Sequence, residues 1–147
     1  MKIGIVYASK HHENTFKLIK AVSEKFSADL ISAEGEEKID LSEYDLIGFA
    51  SGVVYGKFYE SVTKVLEKFL PEGKKVFFVY TCGKNSKDFS EPLKAIAESK
   101  KCSVLGAYGC KGYDTYGPFK LIGGINKNHP DEKDIQGVLE FVEKIKA

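Results

Sequence analysis

Short apolar runs of strand length alternate along this chain with segments whose apolar residues recur at helical spacing, and that alternation restricts the fold more than any other feature. The runs cover 3–7, 29–33, 46–50, 76–80 and 103–110. They are nearly continuously apolar, as expected of strands buried on both faces. Strands that alternate with helices form a parallel sheet with helices on both sides. Five of them predict an α/β, doubly wound, five-stranded parallel sheet in the order 2-1-3-4-5, flanked by helices. Ligands of such sheets lie outside the carboxyl ends of the strands, at the switch point between the first and third.

The helical segments are equally plain. Residues 14–26 place Leu18, Ile19, Val22 and Phe26 on one face. Residues 58–70 carry Tyr59, Val62, Val65, Leu66 and Phe69 as an apolar stripe, stopped by Pro71 and Gly73. A third helix is expected over 91–99 with Pro92 in its first turn, and a last one after Asp131 with Ile135, Val138, Leu139, Val142 and Ile145 facing inward. Residues 34–42 are an acidic, polar connection. Residues 51–57 read as a loop rather than a continued strand, because two glycines bracket Val53-Val54-Tyr55. Residues 111–130 have no clear period, yet hold Tyr113, Tyr116, Phe119 and Ile122 among four glycines; loops this long are usually functional.

Composition closes off several classes. The chain has 147 residues, 43% of them apolar, which suits one domain over 1–147 with a proper core. A formal charge of +1 argues against a nucleic-acid binder acting through a broad basic surface. The first apolar run is too short for a signal peptide or a membrane span, so a cytoplasmic protein is expected. Cys82, Cys102 and Cys110 are odd in number and fit no zinc spacing, which reads as three reduced thiols. His11 and His12 are adjacent and need not converge on a metal, so no metal is assigned.

Ala8 to Thr15 is the turn between the first strand and the first helix. Ser9 and Thr15 offer hydroxyls, Lys10, His11 and His12 offer charge or donors, and Asn14 reads as a helix cap. A helix start presents unpaired N–H groups and a positive dipole end, so the turn suits a phosphate. The same residue types also serve plain capping and turn formation. The other loops at that end are unusual too. Ser51, Gly52, Val53, Val54, Tyr55 and Gly56 combine glycine with an aromatic; Thr81, Cys82 and Gly83 are small; Tyr113 and Tyr116, with Asp114 between them, add further rings. Two aromatic-bearing loops beside a phosphate-type turn could hold a flat ring between them.

Taken together, these stretches resemble the flavodoxin family over essentially the whole chain. Ser9 to Thr15 is similar to its phosphate loop, which commonly ends Gly-Asn-Thr. Residues 51–58 resemble the flavin loop of a flavodoxin-like branch, and 112–119 with Gly123-Gly124 resemble the last loop of that branch. The resemblance implies non-covalent FMN binding by the residues named in the preceding paragraph, with a backbone carbonyl of 52–56 facing flavin N5. Glu13 departs from the family by standing where glycine is usual, and a carboxylate near a phosphate repels it unless turned outward. The chain also lacks Trp and the strong acidity typical of flavodoxins.

The function so implied is electron transfer between redox partner proteins, a reductase and an acceptor, with no catalytic side chain needed. Two rivals share the fold: an FMN-dependent NAD(P)H or quinone reductase, and a flavodoxin-like binding module without flavin. A phosphoacceptor receiver domain is excluded. It needs paired acids after the first strand and Asp after the third, where this chain has Ala8-Ser9 and Ser51-Gly52.

Overall fold

The computed structural model describes residues 1–8, 13–34, 38–84, 87–112 and 128–147. Its strands are β1 (Ile3–Ala8), β2 (Asp29–Ser32), β3 (Leu46–Val54), β4 (Lys57–Phe58), β5 (Lys75–Cys82) and β6 (Ser103–Lys111). Its helices are α1 (Asn14–Phe26), α2 (Glu60–Phe69), α3 (Glu91–Ser99) and α4 (Glu132–Lys146). The main sheet runs β2-β1-β3-β5-β6, every neighbour parallel, and β4 pairs off this path with β3 alone. Counting the five long strands in chain order, this is the expected 2-1-3-4-5.

Side chains on a strand point alternately to the two faces of a sheet. Along β5, Val76, Phe78, Tyr80 and Cys82 therefore enter one core, while Phe77 and Val79 enter the other. The first core takes Val62, Val65 and Leu66 from α2 and Leu93 and Ala97 from α3. The second takes Leu18, Ile19 and Val22 from α1 and Val138 and Val142 from α4. Burying both faces explains why the strand sequences are apolar without polar alternation.

The structure corrects the reading of 51–57 as loop. Backbone pairing continues through Val54, and Val53 and Val54 lie opposite Phe58 and Lys57 in an antiparallel hairpin. Tyr55 and Gly56 form its two-residue tip with φ of 50° and 77°. Two positive φ values match the turn that follows the twist of paired strands. Helix α2 consequently starts at Glu60 rather than at Phe58, which belongs to β4. Asn14 is also not a cap: it is the first helical residue, and Glu13 occupies the cap position. Asp131 does cap α4, accepting from the Asp134 amide at 3.0 Å while Asp134 accepts from the Asp131 amide at 2.9 Å. Of the 111–130 stretch, residues 113–127 lie outside the described residues.

The start of α3 depends on Asp88. Its carboxylate accepts from the Ser90 amide at 2.9 Å and the Ser90 hydroxyl at 2.5 Å, and it pairs with Lys94. Partial burial pushes this carboxyl up, but the Lys94 ammonium and the Ser90 donors outweigh it and hold it below its ordinary range. A depressed folded-state pKa gives stability that is full above the unfolded value and lost as pH falls through the folded one. Asp88→Ala should therefore lower stability by about 1 kcal/mol at pH 7 in a denaturant titration. The gap to the native chain should close below about pH 4; a constant gap down to pH 3 would contradict this assignment.

Candidate functional site

The ends of β1, β3, β5 and β6 meet the first turn of α1 at the carboxyl edge of the sheet. Glu13 precedes the helix with φ 51° and ψ 32°, in the left-handed region, and its side chain makes no capping bond. Left-handed backbone costs an L-residue about 1–2 kcal/mol, which is why glycine is usual there. Behind it, Asn14 and Thr15 are buried. The Thr15 hydroxyl lies 2.9 Å from that of Thr81, near the end of β5 and 66 residues away in the chain. Both are nearly inaccessible, at 0% and 3% exposure.

Gly52, on β3, stands beside this pair. A Cβ built there would lie 3.9 Å from Thr15 Oγ1 and 3.7 Å from the Tyr59 hydroxyl oxygen. Its neighbour Ser51 faces inward: the hydroxyl donates to the Gly52 carbonyl at 2.7 Å and accepts from the Tyr59 amide at 2.9 Å. Ser51 thus ties the hairpin to the start of α2. Val53 and Val54 are half-buried along the hairpin, and Tyr55 at its tip is 82% exposed.

The far side is closed by β5 and β6. The Cys82 thiol donates to the Cys110 carbonyl at 3.5 Å, and the Gly112 amide donates to the Cys82 carbonyl at 2.9 Å. Gly83 follows, half-buried. At Gly112 a Cβ would sit 2.6 Å from Asn14 Nδ2, so only glycine lets the chain leave β6 past the first turn of α1. Burial, then the nearby Asp134 and Cys82, pushes the Cys110 thiol well above its ordinary range, so it is neutral and a poor nucleophile.

The structure thus brings together Asn14, Thr15, Gly52 and Thr81, with Gly112 as a contact that sequence spacing did not reveal. Ser9, Lys10, His11, His12, Tyr113, Asp114 and Tyr116 lie outside the described residues. A separate trio, His129, Asp131 and Asp134, has ligand-type atoms within 4.8 Å of one another, but both carboxylates there already bind amides of the α4 cap. His129 Nδ1 lies 2.7 Å from Asp134 Oδ2. Among the described residues, the groups gathered at the sheet edge are the Thr15, Ser51 and Thr81 hydroxyls, the Asn14 amide and the Cys82 thiol, which can bind and orient a ligand. Among the described residues no helix is long and apolar enough to cross a membrane.

Comparison with known proteins identifies the fold that carries this edge. No family model matches the chain. The uncharacterized protein MJ0298 of Methanocaldococcus jannaschii is 42% identical over 147 residues, covering 99% of this chain and 98% of that protein. An archaeal flavodoxin superposes with a TM-score of 0.70 at 20% identity, over 100% of both chains. General stress protein 14 of Treponema denticola, solved in complex with FMN, gives a TM-score of 0.70 at 11% identity, over 99% of both chains. The fold is flavodoxin-like, the class expected from the sequence.

The backbone at position 13 gives a direct check. Glu13→Gly should be more stable than Glu13→Ala by about 1 kcal/mol, since both remove the carboxylate and only glycine relieves the left-handed conformation. Equal thermal midpoints for the two variants would mean that residue 13 is not held at positive φ. A second check concerns the thiols: Cys82, Cys102 and Cys110 are all buried and unbridged. A neutral-pH thiol reagent should label the folded chain far more slowly than the unfolded one, and rapid labelling of Cys110 would contradict its described burial.

Proposed function

The chain belongs to one family with the Methanocaldococcus jannaschii protein MJ0298, on a flavodoxin-like fold, and we propose that it binds FMN non-covalently and carries electrons between redox proteins. The observation that carries this reading is the hydroxyl pair at the start of α1. Thr15 and Thr81 hold two hydroxyl protons between them, and their 2.9 Å contact uses one. Among the described residues neither hydroxyl has another partner, so one buried donor is left for an incoming acceptor. The pair stands at the first turn of α1, where backbone dipoles favour an anion, and with Thr81 as the donor the spare proton is Thr15's. A phosphate there answers both demands.

In this reading Thr15, with Asn14 in the same turn, holds the phosphate end, joined by Ser9, Lys10, His11 and His12. The hairpin residues Gly52 to Gly56 take one side of the flavin ring, and Tyr113, Asp114 and Tyr116 the other, with Thr81, Cys82 and Gly83 at its edge. Gly52 suits that place because it carries no side chain between Tyr59 and Thr15. Tyr55 sits on a two-residue turn and is largely exposed, where its ring could lie against a planar group. Ser51 holds the hairpin in place through the Tyr59 amide. FMN, when bound, supplies reversible electron uptake, and the chain's task is to bind it, shield it from water and set its potential.

Flavin titration of the purified chain, followed by fluorescence quenching, tests this reading. The chain should take up FMN, and Thr15→Ala should weaken it about tenfold or more, the effect of losing one hydrogen bond to a charged group. Riboflavin, which has no phosphate, should be far less affected. A chain that takes up no FMN would overturn the reading, and unchanged affinity in Thr15→Ala would remove Thr15 from the phosphate end. Sustained NAD(P)H oxidation with a quinone acceptor would move the assignment from carrier to reductase.

A further inference from the structure

We infer that Glu13 is the residue that sets the charge selectivity of this site, weakening the hold on a phosphate that the surrounding donors attract; the inference rests on the FMN reading above. Three observations lead there. Glu13 is the cap residue of α1, and its exposed side chain makes no capping bond. Among the described residues no cation is ion-paired with it, although surface pairs form elsewhere, such as Lys2 with Glu43 at 2.7 Å and Lys64 with Glu60 at 3.3 Å. The first turn of α1 contains no other acid, so Glu13 is the carboxylate at that helix end. Among the described residues, the helix start therefore presents to an approaching anion a set of donors and one carboxylate without an ion-pair partner.

The two consequences of Glu13 separate cleanly. Its left-handed backbone is a cost to folding that is the same with and without ligand, so it changes stability and leaves affinity alone. Its charge acts on the ligand. A phosphate is dianionic near neutral pH, and a carboxylate within about a Debye length of it in a near-water dielectric weakens binding roughly three- to tenfold. A neutral ligand of the same shape feels no such term. The site so built discriminates by the charge of the ligand's tail, and it keeps FMN more readily exchangeable than the donors alone would.

The test compares FMN and riboflavin dissociation constants at pH 7.5 for the native chain, Glu13→Gln and Glu13→Lys. Both variants keep a Cβ and hence the same backbone demand, and residue 13 is exposed, so folding is little changed. FMN affinity should rise in the order Glu, Gln, Lys, by roughly three- to tenfold per step, while riboflavin affinity stays level. Flat FMN affinity across the series, with FMN still bound, overturns the inference and leaves the FMN reading standing. Equal gains for riboflavin also overturn it, by showing that the change comes through the turn and not through charge. A native chain that binds neither flavin overturns the FMN reading, and the inference with it.

Discussion

A parallel sheet ends all its strands on one edge, and that single constraint makes a site here. The helices that return the chain run antiparallel to the strands, so the start of α1 comes to the same edge as the ends of β1, β3, β5 and β6. Polar groups that terminate each element are then forced into company. The bond between Thr15 and Thr81 is the direct product, joining α1 to the end of β5 across 66 residues. It holds because apolar packing on both faces of the sheet fixes α1 and β5 in relation to each other, with Leu18, Ile19 and Val22 against Phe77 and Val79.

Two turns at this edge place ordinary residues in left-handed backbone. Glu13 and Tyr55 have φ of 51° and 50°. Each costs stability that glycine would not, and such positions persist where surrounding structure dictates them. At Tyr55 the hairpin dictates it, since pairing of Val54 with Lys57 leaves two residues to reverse the chain. At Glu13 the dictating element is the start of α1. Both residues lie where the proposed ligand would meet the chain, one at its phosphate and one at its ring.

Much of this was legible in the sequence. The bounds of α1 at 14–26 and α3 at 91–99 followed from apolar spacing and from Pro92, because those signals are local. Strand order followed from the regular alternation of elements. The hairpin was not legible: Ser51 to Gly56 has the composition of a loop, and only pairing with Lys57 and Phe58 makes strands of its flanks. The cap of α1 was misread for a similar reason. Asn14 has the better capping chemistry, but it is the first residue of the helix and Glu13 takes the cap position. The partners of Thr15 and Ser51, namely Thr81 and the Tyr59 amide, are tertiary facts with no trace in spacing. The expectations on 9–12 and 113–116 fall outside the described residues and stand as proposals.

The central claim is that a mononucleotide phosphate is held at the start of α1, and phosphorus NMR of the chain mixed with FMN tests it most directly. Bound FMN should give one resonance, shifted from that of free FMN, that stays put between pH 5 and pH 8 because donors hold the phosphate dianionic. A resonance at the free position, titrating with the ordinary second phosphate ionisation near pH 6, would contradict it.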